Sequence, residues 1–175
     1  MLFRSLNNLI RIIPDFPKPG IVFKDITPLI ADGQVFSYCC NEIAKFTKNI
    51  DYVAGIEARG FIFASAVSVL TGKGFIPIRK SGKLPGQTIS QSYELEYGKA
   101  TLEMHSGLIP KGKKVLVVDD VLATGGTAVG AAQLLLQAEL VPTSFAFLLE
   151  IPQLGARSRI TKALPGLQIH TILAE

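Results

Sequence analysis

Asp119 and Asp120 stand side by side, and Val121-Leu122-Ala123-Thr124-Gly125-Gly126-Thr127 follows them directly. Two adjacent carboxylates offer acceptors to ligand hydroxyls or to a hard cation. Two glycines between threonines offer backbone N–H groups, unobstructed by Cβ atoms, to an anion, with hydroxyl donors beside them. The combination suits a ligand that carries hydroxyls or a bound cation next to a phosphate. Two other stretches add positive charge. Glu57-Ala58-Arg59-Gly60 is a charged, glycine-containing turn, and Arg79-Lys80-Ser81-Gly82-Lys83 gathers cations in a flexible context. Taken singly, each of these is an ordinary strand end or solvated turn. Taken together they describe a site for a small polyanion.

The elements needed to position these residues can be read from periodicity. Val115 to Val118 is an apolar, mostly β-branched run, as expected of a strand buried on both faces of a parallel sheet, with the acidic pair where that strand ends. Ala128 to Leu140 contains no proline and is dense in Ala, Leu and Gln, which predicts a helix whose N-terminus faces the same anion. Tyr52–Ile56, Phe75–Ile78, Thr143–Leu149 and Gln168–Leu173 read as further strands, with helices over Phe61–Leu70 and Gln153–Lys162. Ser90–Leu95 and Ala100–His105 alternate around Glu96-Tyr97-Gly98-Lys99, a hairpin signal. Ahead of these, the spacing predicts an amphipathic helix over Met1–Ile13, irregular chain through Pro14–Gly20, an extended Ile21–Pro28, and a helix capped by Asp32 that runs to about Lys48. Strands alternating with helices imply an α/β protein with a mostly parallel sheet flanked by helices.

At 175 residues and 48% hydrophobic content, the chain suits one well-filled domain. No apolar run approaches the roughly 18 residues of a membrane span, and the first residues lack signal-peptide architecture, so a cytoplasmic protein with no membrane partner is expected. The net charge of +4 favours anionic ligands, but there is no basic run of the kind that marks a nucleic-acid surface. Cys39 and Cys40 lie adjacent in a helical pattern and read as small buried hydrophobes. His105 and His170 have no partner at metal-ligand spacing and read as structural.

The run from Val115 to Thr127 resembles the 5-phosphoribosyl-1-pyrophosphate (PRPP) signature of the type I phosphoribosyltransferases. Phe16-Pro17-Lys18-Pro19-Gly20-Ile21-Val22-Phe23-Lys24-Asp25 is similar to the base-recognising segment of the adenine phosphoribosyltransferases, and the resemblance extends from about Phe16 to the end of the chain. It implies the type I phosphoribosyltransferase fold as one domain over residues 1–175, with a base-recognition region over about 1–31 and a mobile lid hairpin over about 81–99. It implies a purine-salvage transferase that converts adenine and PRPP to AMP and pyrophosphate, with Mg²⁺ carried on PRPP or pyrophosphate oxygens rather than in a protein-built metal site. A homodimer is implied as well. By the same resemblance, Ala123, Thr124, Gly125, Gly126 and Thr127 belong to the 5′-phosphate loop, and Asp119 and Asp120 face the ribose. Arg59, Arg79, Lys80 and Lys83 meet the diphosphate. Val22, Phe23, Lys24 and Val121 serve the base, and Glu96, with Tyr97 beside it in the lid, approaches the purine ring nitrogens. The catalytic set so implied is Glu96, Arg59, Asp119 and Asp120. Lys24 stands where many relatives have Arg, and Val121 where many have Leu, which bears on the fit to the base. Two other readings share the PRPP site: a transferase for another base, such as hypoxanthine or xanthine, and a PRPP sensor without turnover.

Overall fold

The structure, a computed structural model, describes residues 6–95 and 98–174. The chain forms two compact units, Met1–Asn41 and Glu42–Glu175.

The first unit holds a two-stranded antiparallel ladder, β1 (Arg11–Ile13) with β2 (Phe23–Asp25), a short helix α1 (Thr27–Ala31) and the start of α2 (Gly33–Ala44). Of the helix expected over Met1–Ile13, residues 1–5 lie outside the described residues, Leu6 is helical, and the helix does not extend to Ile13. A 3₁₀ turn at Asn7–Leu9 gives way to extended chain at Ile10 and then β1. The β-branched run Ile10, Ile12, Ile13 favours that outcome, and Arg11 ties β1 across the ladder to the buried Asp25, with Nε and Nη2 at 2.9 and 2.5 Å from Oδ2. Thr27 donates its backbone N–H and hydroxyl to the other oxygen of Asp25 at 2.9 and 2.6 Å. The Thr27 hydroxyl and N–H, with Arg11, hold the Asp25 carboxyl down at about 2 against burial. A carboxylate whose folded-state value lies below its unfolded value of about 3.8 stabilises the fold above pH 4, and this contribution is lost as pH falls towards 2. Asp25→Asn is therefore expected to lower Tm by several degrees at pH 7. Calorimetry of both proteins from pH 7 down to pH 2 should show the gap closing below about pH 4. Asp32 caps α2 as expected, its Oδ1 accepting from the N–H groups of Gln34 and Val35 at 3.0 and 3.1 Å.

The second unit is a seven-stranded sheet in the order β5-β6-β4-β3-β7-β8-β9, where β3 is Tyr52–Ile56, β4 Gly74–Lys80, β5 Thr88–Leu95, β6 Gly98–His105, β7 Lys114–Leu122, β8 Val141–Glu150 and β9 Gln168–Ala174. β4, β3, β7, β8 and β9 are mutually parallel, while β5 and β6 form an antiparallel hairpin on the edge of β4. The crossover helices are α3 (Arg59–Thr71), α4 (Gly126–Gln137) and α5 (Ala156–Ala163). Val115 to Val118 are fully buried, as their composition demands, in the middle of the sheet. Phe145, Phe147, Leu134 and Leu135 fill the core around them. β7 nevertheless does not stop at the acidic pair. It continues to Leu122, because β8 is long enough to keep pairing with it through Val121↔Leu149 and Leu122↔Glu150. The segment expected as a helix over Gln153–Lys162 is a 3₁₀ turn at Pro152–Leu154 followed by α5. Cys39 and Cys40 are both buried thiols. The His170 ring lies flat on Phe46 at 3.9 Å, and His105 Nε2 lies 3.0 Å from the Pro85 carbonyl oxygen. Among the described residues no helix is long and apolar enough to cross a membrane.

Candidate active site

Parallel strands present their carboxyl ends together, and in the second unit those of β3, β4 and β7 deliver Glu57, Lys80 and the Asp119-Asp120 pair to one cleft. The cavity holds about 500 Å³, and its lining includes Arg59, Tyr93 and Thr127 as well. A smaller hollow of about 70 Å³ adjoins Asp119 and is shaped by Val121, Ala123, Thr124, Gly125 and Thr127. The polyanion-binding residues foreseen in the second unit are thus largely gathered in space.

The loop before α4 leaves backbone donors open. Gly125 sits at φ +80°, a left-handed conformation that favours glycine, and no side chain caps the helix behind it. Among the described residues no side chain caps the first-turn N–H groups of this twelve-residue helix, and such groups are suited to an anion. Gly126 has a second reason to be glycine that the sequence does not reveal. A Cβ there would stand 2.8 Å from the carbonyl oxygen of Glu94 on β5. Gly130, one turn on, meets the Tyr93 ring in the same way, at 3.0 Å. The two glycines make a groove on α4 into which the β5–β6 hairpin is laid, bringing the Tyr93 hydroxyl within 3.5 Å of Thr127 Oγ1. Tyr93 was not anticipated as a site residue. The i, i+4 glycine pair at the start of α4 was the available signal.

Charge in the cleft is largely paired. Asp120 is buried, and its Oδ2 lies 2.7 Å from Arg59 Nε. That ion pair lacks the angle of a hydrogen bond, and no other described residue donates to this oxygen. Asp120 in turn gives its backbone N–H to Asp119 Oδ1 at 2.9 Å. Burial and the neighbouring Asp120 carboxylate push the Asp119 carboxyl well above the usual carboxylate range, and the Asp120 N–H and Arg59 offset this only in part. Arg79 and Lys83 do not line the cavity directly. Both are bound by Glu57, which follows β3 and is joined to Ala58 by a cis peptide bond. Lys80 does line the cleft and presents an exposed ammonium.

Val22, Phe23 and Lys24 belong to the first unit, where Phe23 opens β2 and its ring meets Phe16 edge-on at 5.2 Å. Glu96 and Tyr97 lie outside the described residues; β5 and β6 pair down to Leu95↔Gly98. Ser81 to Leu84, between β4 and β5, is pinned: the N–H groups of Lys83 and Leu84 donate to the buried Glu103 at 2.9 and 3.0 Å.

Residues 26–153 match the family profile of the phosphoribosyl transferase domain. An adenine phosphoribosyltransferase from Halothermothrix orenii is 49% identical over 175 residues, covering 98% of this chain and 99% of that protein. The crystal structure of adenine phosphoribosyltransferase from Thermoanaerobacter pseudethanolicus superposes with a TM-score of 0.91 at 42% identity, covering 98% of this chain and 99% of that one. That of the Saccharomyces cerevisiae adenine phosphoribosyltransferase, complexed with D-2,5-dideoxy-2,5-imino-altritol 1,6-bisphosphate and adenine, has a TM-score of 0.88 at 34% identity, covering 97% of each chain.

Proposed function

Since this chain belongs to the adenine phosphoribosyltransferases, we propose that its cleft binds PRPP and passes the phosphoribosyl group to N9 of adenine, giving AMP and pyrophosphate. The observation that carries the reading is the convergence of an uncapped α4 N-terminus, the Asp119-Asp120 pair and a cationic rim on one 500 Å³ cavity. Each part answers one part of PRPP. The Thr124–Thr127 loop takes the 5′-phosphate, with N–H groups and hydroxyls as donors. Asp119 and Asp120 accept from the ribose hydroxyls and face the positive charge that grows on the ring as the C1–O bond to pyrophosphate lengthens. Arg59, Arg79, Lys80 and Lys83 take up the negative charge on the departing group. Preorganised charges of this sort dominate the barrier lowering when little covalent work falls to the protein.

Mg²⁺ fits the donor set. The Asp120 oxygen that no hydrogen bond satisfies, with Asp119 beside it, is the hard oxygen donor that such a cation prefers. Among the described residues no group of three or more His, Cys, Asp or Glu could hold a metal, so the remaining ligands would be diphosphate oxygens and water. When bound, the ion neutralises part of the diphosphate charge.

Base choice is assigned to Val22-Phe23-Lys24, with Phe23 stacking on the purine and main-chain groups matching the N6 donor and N1 acceptor of adenine. A 6-oxo purine would set carbonyl against carbonyl and N–H against N–H, a mismatch that such sites reject by factors on the order of 10⁴. Glu96 and Tyr97 are assigned to the lid that covers the base. The enzyme is further proposed to work in the cytoplasm as a homodimer. Ile62, Val69 and Leu70 on α3, together with Leu108, are exposed apolar residues suited to burial against a second copy, Val69 at 84% and Leu108 at 73%.

The test is kcat/KM for adenine, hypoxanthine, guanine and xanthine with PRPP. Adenine should lead by orders of magnitude. Phe23→Ala should cut adenine turnover while keeping the order of preference, because the discriminating groups are backbone. Comparable use of hypoxanthine by the parent would overturn the assignment of the base.

A further inference from the structure

Glu57 is the hub of the cationic rim. Its side chain is only 7% exposed and accepts from Arg79 Nε at 3.1 Å, from the Lys83 ammonium, and from the backbone N–H of Lys80 at 3.1 Å. Burial disfavours its charge, but the Lys83 ammonium, the Lys80 N–H and Arg79 outweigh that, and the carboxyl stays below its ordinary value, hence ionised. The two cations best placed to add to Lys80 at the mouth of the cleft are therefore already matched to an anion of the protein itself.

We infer that Glu57 is a positioning residue that competes with pyrophosphate for Arg79 and Lys83, holding both when the cleft is empty and reclaiming them as the product leaves. The inference rests on the reading of the cleft as a diphosphate site. The geometry allows the exchange to be made by side chains alone. Glu103 fixes the backbone of Lys83 and Leu84, and the Lys80 N–H keeps Glu57 in place, while the Lys83 side chain, about half exposed, is free to swing about that anchored backbone. Arg79 is steadied by its second bond, Nη1 to the Lys83 carbonyl oxygen at 2.9 Å. A diphosphate entering this rim must displace a carboxylate from charge-assisted bonds, so only the surplus appears as affinity. Weaker binding of the leaving group is the consequence, and it favours release.

The sign of one measurement separates this role from a purely structural one. Glu57→Gln keeps an acceptor for Lys80 and removes the competing charge. Titration calorimetry with magnesium pyrophosphate should show the variant binding about tenfold more tightly than the parent, a single charge-assisted bond's worth. Pyrophosphate should also inhibit it at correspondingly lower concentration, with KM for adenine unchanged. In a Lys83→Met background the gain should shrink to about threefold or less, since Glu57 acts through that ammonium. Should the Gln variant fail to fold, Glu57→Asp carries the test: one methylene shorter, it cannot hold both cations and should give a smaller gain of the same sign. Equal or weaker pyrophosphate binding by a folded variant overturns the inference alone. A parent that binds no pyrophosphate overturns the diphosphate reading and this inference with it.

Discussion

Asp119→Asn is expected to make the protein more stable at neutral pH and a poorer enzyme. The folded state raises the Asp119 carboxyl through burial and through the Asp120 charge beside it. A group raised on folding contributes stability that is complete below its unfolded value of about 3.8 and is lost as pH climbs through the folded one. At pH 7 the parent therefore bears the cost of a disfavoured anion. Asn removes it while keeping an oxygen for the Asp120 N–H. Tm of the variant should exceed that of the parent at pH 7 to 8, and the difference should vanish below about pH 4. Over the same range kcat/KM for PRPP should fall by at least about tenfold, equivalent to about 1.4 kcal/mol of transition-state stabilisation. Such opposition between stability and rate is the mark of a residue kept for chemistry. Thermal scans against pH, beside steady-state kinetics, decide it: a variant with unchanged Tm and full activity would remove Asp119 from the site. Asp120→Asn should behave differently, because it strips Arg59 of its buried carboxylate partner and should lower both Tm and activity.

Gly60→Ala should be the most damaging single methyl in the cleft. A Cβ on Gly60 would stand 2.7 Å from Asp119 Oδ1, 2.9 Å from the Val118 carbonyl oxygen and 3.1 Å from Asp119 Cα. Two of these are backbone atoms of the central strand, which has no room to retreat, so the start of α3 must lift away from β7. Overpacking of this kind costs about 1–3 kcal/mol. The same shift moves Arg59 relative to Asp120 and displaces the acidic pair within the cleft. Misplacement of catalytic groups by about 1 Å lowers rates on the order of a hundredfold, and kcat/KM should fall by that much while far-ultraviolet circular dichroism stays near that of the parent. Parent-like kinetics would show that α3 and β7 can separate without consequence for the site.

What the amino-acid sequence determined by itself is local. The strand Val115–Val118, the acidic pair after it, the glycine loop and the helix behind are contiguous, so composition and period were enough to place them. The same holds for Tyr52–Ile56, whose five apolar residues form β3 with the limits that the pattern suggests. What tertiary structure decided is everything that depends on residues far apart in the chain. Arg11–Ile13 closes a run of helical spacing, yet these three residues form β1, where Arg11 finds Asp25 across a ladder. β7 runs past its carboxylates because β8 goes on pairing with it. Gly126 and Gly130 are small because the β5–β6 hairpin lies on them. Glu57, an unremarkable turn carboxylate in the sequence, lies 22 and 26 positions from the cations it gathers, and only the parallel pairing of β3 with β4 closes that distance. Propensity and period act over a few residues, whereas pairing of charge and exclusion of volume act through space, and the site draws on both.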